Sequence, residues 1–90
     1  MTWTYHSIFF AHEGRAEVPL FLVRLRTGGS IAAAERLDET GVWLWTPTLM
    51  EIDRDGGFTE AQEITHSEAR TFVRDWVAAG TLSKTPEDLL

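Results

Sequence analysis

Cysteine and asparagine are missing from this 90-residue chain, lysine occurs once and proline three times, and no apolar run approaches the thickness of a bilayer. Without cysteine there are no disulfide staples, no thiolate nucleophile and no cysteine-based zinc site. Residues 1–14 carry neither the cationic start nor the uninterrupted apolar stretch of a secretory leader, and a membrane helix needs about 20 apolar residues. These features point to a soluble, cytoplasmic protein. One lysine beside seven arginines resembles the coding bias of a GC-rich bacterial or phage genome. Bases are also outnumbered, eight against fourteen acids for a net charge of −6. That charge repels nucleic acid and anionic lipid at long range and favours a basic partner. Phosphate-binding glycine loops, a Gly-x-Ser-x-Gly elbow and internal repeats are absent too, so neither a cofactor nor a catalytic residue is expected.

What is present includes one fully specified helix. Thr65 and Glu68 have the spacing of a reciprocal capping box. Ala69, Phe72, Val73, Trp76 and Val77 then recur at helical intervals as one apolar stripe, and Gly80 supplies the stop. Ahead of it, residues 3–11 and 18–26 are rich in aromatic and branched side chains and read as strands, divided by a turn at residues 12–15. Gly28-Gly29 suits a two-residue hairpin loop, and residues 38–41 and 53–57 repeat the turn chemistry. Residues 30–38 balance helix propensity at Ala32, Ala33 and Ala34 against strand alternation, and the alternation favours strand. Pro47 divides residues 42–46 from 49–53, two strands or one bulged strand. The expectation is an α+β fold: an antiparallel β-meander of four to six short strands with one C-terminal amphipathic helix across a face. A single domain would occupy residues 1–82, with residues 83–90 as a flexible tail.

Register sharpens this. A loop at Gly28-Gly29 puts Arg26 opposite Ile31, and the next hairpin puts Leu37 opposite Val42. One face then gathers Phe21, Val23, Leu25, Ala32, Ala34, Trp43 and Trp45, with room between the alanines for the helix. The other gathers Leu20, Leu22, Arg24, Arg26, Leu37, Val42 and Leu44 with no cover inside the chain. Those seven are the candidate partner-binding residues, and a two-fold homodimer is the simplest occupant.

Residues 51–62 partly match a calcium loop, with Asp53, Asp55 and Gly56 in place, but Glu51 opens it and Gln62 stands where a closing glutamate belongs. A solvated hairpin is preferred, with Glu51, Asp53, Asp55, Glu60 and Glu63 as an acidic patch along an edge. His6, His12 and His66 lack metal-ligand spacing, so no metal site is expected. Arg24 is expected to be neutralised by Glu35 diagonally across the strands, and the Arg70/Arg74 pair by Asp75. The reading that emerges is a small non-catalytic protein-interaction module, self-associating or binding a protein partner. An acidic cation-binding domain is its first rival, and a small acid–base enzyme, marked by a buried His–carboxylate pair in a cleft, its second.

Overall fold

Side chains alternating between the two faces from Trp3 to Phe10 make β1 (Trp3–Phe10), the longest strand, which pairs on both sides. The computed structural model describes residues 2–11, 18–55 and 58–90; the turn read at residues 12–15, with His12, and the Gly56-Gly57 pair lie outside them. β2 (Phe21–Arg26), β3 (Glu35–Leu37) and β4 (Trp43–Trp45) follow as a meander on one side of β1. Helix α1 (Thr48–Asp55) then carries the chain behind the sheet to β5 (Thr59–Ile64), which pairs with the other side of β1. All pairings are antiparallel, in the order β4-β3-β2-β1-β5. Helix α2 (His66–Ala78) crosses the front. The α+β class and the C-terminal helix are as expected; the second helix is not.

α2 realises its sequence signals in full. The Thr65 hydroxyl accepts from the Glu68 amide at 3.0 Å while the Glu68 carboxylate accepts from the Thr65 amide at 2.9 Å. At the far end Gly80 takes φ 78°, and the amides of Gly80 and Thr81 return to the carbonyls of Val77 and Trp76, a Schellman closure. Ala69 and Val73 are buried beneath it, and Phe72, Trp76 and Val77 flank them.

The expected plan of strands and turns fails at three places, each for a local reason, and α2 covers the Leu22 and Leu37 face rather than the Val23 and Leu25 face. Ser30 caps a single 3-10 turn, Ile31–Ala33, by accepting the Ala32 amide at 3.1 Å, so Gly28-Gly29 does not close a two-residue hairpin. The ladder puts Arg24 opposite Glu35 instead of Ala33, a displacement of two that leaves the face of every β3 residue unchanged. The β3–β4 loop, by contrast, closes through Gly41 N–H to the Asp38 carbonyl and Asp38 N–H to the Val42 carbonyl, with Gly41 at φ 84°. This three-residue turn with a glycine bulge sets Leu37 against Trp43, one position away from the expected pairing, and so exchanges the faces of every β4 residue. Finally, Pro47 starts a helix. Thr46 accepts the Thr48 amide at 3.3 Å, an N-cap with proline at the first helical position, and residues 49–53 are helical instead of extended.

Two cores result. In front, Tyr5, Leu22, Leu37, Ala69, Val73, Leu82 and Leu89 form one cluster; behind, Ile8, Val23, Leu25, Ala34 and Leu49 form the other, capped by Ile52 of α1. Ile8, Leu22, Val23 and Val73 are wholly enclosed, each contributing about 1.5–3 kcal/mol of apolar burial. Residues 83–90 are not a loose tail. Leu89 is only 2 % exposed and joins the front core, and the Ser83 amide donates to the Glu39 carbonyl at 2.9 Å.

Candidate interaction surface

The candidate partner-binding residues divide. Leu22 and Leu37 are fully or nearly enclosed under α2, so the face that the sequence left open is covered within the chain. Arg24 lies there too, held on all sides. Its guanidinium is 2.9 Å from Glu35, directly across the ladder rather than diagonal, and 3.0 Å from Asp88. The ring of Trp3 lies 3.8 Å from its central carbon and that of Trp43 4.6 Å, so the cation is stacked on two indoles. Arg26 is exposed, 5.7 Å from the Trp3 ring. Trp3 is therefore occupied by arginines and offers no free stacking platform.

Asp88 is the hub of this arrangement. Besides Arg24 it accepts from the Tyr5 hydroxyl at 2.7 Å and the Trp43 indole N–H at 2.8 Å, and its carbonyl oxygen lies 2.8 Å from His66 Nε2. Burial alone would raise the Asp88 carboxyl, but the bonds from Tyr5 and Trp43 together with the Arg24 charge outweigh it and hold it below the usual carboxylate range. Tyr5 moves the other way. Burial, then the bond to Asp88, push its phenol far above its ordinary value. Every charge here has a partner within the chain. Asp88 was missed in the sequence because it lies in a segment with little apolar content; Pro86, which starts its 3-10 turn Glu87–Leu89, was the available signal.

Leu20, Val42 and Leu44 remain outside the core, 45 %, 43 % and 52 % exposed, and Trp45, read as core, is 62 % exposed. Three of these four belong to β4 or its first flank, at the free edge of the sheet. Thr46 N–H donates to the Ala34 carbonyl and Asp38 N–H to the Val42 carbonyl, so ladder alternation turns the main-chain groups of Trp43 and Trp45 outward. The Trp45 indole N–H donates to the Ala32 carbonyl at 2.8 Å, which fixes its ring beside the edge. A cleft of about 500 Å³ adjoins it, lined by Arg36, Leu44, Trp45 and Thr46.

The acidic candidates do not form one row. Glu51 and Asp53 lie on α1, where alternate residues diverge by about 200°; Asp55 ends the same helix, its side chain outside the described residues. Glu60 and Glu63 are exposed on β5, on opposite faces. Glu63 pairs across the ladder with His6, and both line a cleft of about 450 Å³ with Asp53 and the apolar Leu25, Leu49 and Ile52. This is the nearest approach to an acid–base site. Yet His6 Nδ1 is buried with no hydrogen-bond partner, and burial, opposed by Glu63, lowers its pKa. Among the described residues no carboxylate is hydrogen-bonded to this imidazole, the contact that would orient it as a general base. Among the described residues no cluster of three histidines or acids could hold a metal ion, and no helix is long and apolar enough to cross a membrane.

Comparison of the chain with protein-family models, with curated proteins and with solved structures finds no match.

Proposed function

We propose that this protein is a non-catalytic, cytoplasmic protein-interaction module that self-associates through the free edge of β4. The observation that carries this reading is the chemistry of that edge: Trp43 and Trp45 present outward main-chain groups, no charged side chain stands on the strand, and Leu44 and Trp45 are more than half exposed. The opposite edge, β5, carries Glu60 and Glu63 and would bring acid against acid on meeting its copy. A two-fold axis at Leu44 sets Trp43 of one copy against Trp45 of the other. That register forms four main-chain hydrogen bonds and brings the two leucines together at the close, non-hydrogen-bonded position.

A three-residue edge buries little area, so the dimer is weak and forms at high micromolar concentration. Sedimentation velocity across that range is the test. Wild-type protein should approach twice the monomer mass, and Leu44→Glu should remain a monomer with an unchanged circular dichroism spectrum, because two carboxylates would meet at the axis. A wild-type monomer at the highest concentration overturns self-association.

A further inference from the structure

Arg70 and Arg74 sit one turn apart on the exposed side of α2, in a stripe with Ser67 and Thr71, and residues of the C-terminal segment face them across a cleft of about 340 Å³. Thr85 stands opposite the arginines, and Leu89 and Leu90 form the apolar wall. Asp75, the expected neutraliser, does not reach them. Among the described residues no carboxylate lies within 4 Å of either guanidinium on α2. Like charges at this spacing disfavour the helix, and no described residue forms an ion pair with them. The Thr71 hydroxyl is spent on the Ser67 carbonyl at 3.1 Å, whereas the Ser67 and Thr85 hydroxyls are free to donate. Two guanidiniums without an ion-pair partner among the described residues and two free hydroxyl donors therefore converge on one cavity.

We propose that this cleft binds a compact phosphomonoester, with Arg70 and Arg74 on the phosphoryl oxygens, Ser67 and Thr85 donating to them, and the Leu89/Leu90 wall receiving a small apolar ester group. Planar guanidiniums match phosphate oxygens two at a time. The net charge of −6 excludes a nucleic-acid strand as the occupant, because a polyanion meets repulsion from the remaining surface while a single phosphoryl group meets only the local field.

Amide-resolved NMR titration of the whole chain with inorganic phosphate and with n-butyl phosphate, against sodium chloride at matched ionic strength, tests this. Saturable shifts confined to Ser67, Arg70, Thr71, Arg74 and Thr85 are expected, with butyl phosphate binding several-fold tighter. Arg70→Gln/Arg74→Gln should weaken binding at least about tenfold, and Arg74→Lys should lose part of it while keeping the charge. Both arginines are exposed, so the variants leave the core intact. Equal affinity for the two probes would assign the site to free phosphate and overturn the ester. Linear shifts that follow ionic strength, or saturation unchanged in the double variant, would overturn the site itself.

Discussion

Asp88 and Trp43 are joined by a 2.8 Å hydrogen bond from the indole N–H to the carboxylate, which ties the C-terminal segment to the strand whose edge is proposed to meet a second copy. The same carboxylate fastens Tyr5 and Arg24, so one side chain holds three strands to the last turn of the chain.

Asp88→Ala should consequently be among the most damaging single changes. It leaves the Arg24 cation half uncompensated and frees two buried donors, a loss of about 3 kcal/mol on the scale of broken buried pairs. Urea unfolding measures it, and Trp fluorescence should shift as Trp3 and Trp43 lose their enclosure. A loss below about 1 kcal/mol would show that the segment is not fastened by this residue.

Stability should fall on both sides of neutrality, in separable stages. The His6 pKa is lowered in the folded state, so below about 6.5 the unfolded chain takes up a proton the fold resists, and stability declines as pH falls through that window. The Asp88 pKa is also lowered. Its contribution is complete above about 3.9 and disappears as pH falls through the folded value. Tyr5 acts in alkali. Its raised pKa means that above about 10 only the unfolded phenol ionises, which favours unfolding. His6→Val should abolish the mildly acidic stage and gain up to about 1 kcal/mol at neutral pH, because it removes a buried nitrogen without a partner. Urea midpoints at pH 7.0, 5.5 and 3.0 for both proteins check the assignment.

Two glycines with nearly the same φ should respond differently to alanine. At Gly80 nothing lies within 4 Å of an added Cβ, so only the left-handed backbone resists, a cost of about 1–2 kcal/mol. At Gly41 the Cβ would also collide with the Lys84 carbonyl oxygen, and the total should reach roughly 2–4 kcal/mol. Equal losses in urea melts of the two variants would mean that residues 83–90 do not lie against the hairpin.

Millimolar Ca²⁺ should leave the melting temperature unchanged. Glu51, Asp53 and Asp55 belong to a regular helix rather than a coordinating loop, and on it the carboxylates of Glu51 and Asp53 diverge instead of converging. A rise in melting temperature that chelator reverses would contradict this placement.

Legibility in the sequence tracked the range of each signal. α2 was readable to the residue because its cap, stripe and stop are local and mutually consistent. Arg24 and Glu35 were readable as partners because a shift of two positions preserves parity. Leu22 and Leu37 keep their expected face but not their expected exposure: the alternation pattern assigns the C-terminal helix to the Val23 and Leu25 side, whereas α2 lies over Leu22 and Leu37 and α1, a helix where a strand is expected, covers Val23 and Leu25. Trp45 was misplaced by a single bulged residue. The Asp88 network was invisible, since its members Tyr5, Arg24, Trp43 and Asp88 are brought together only by the tertiary fold, and no periodicity relates them.

The three-residue turn between β3 and β4 has a consequence for how the gene can vary. Losing or gaining one codon there would turn Trp43 and Trp45 toward the back of the sheet and drive Leu44 into the front beside Arg24 and Asp88, undoing the indole–carboxylate bond and the proposed dimer edge together. Changes of two codons preserve the arrangement. Length variants of this protein should therefore differ at the hairpin by even numbers of residues, with odd ones confined to chains that have rebuilt the whole edge.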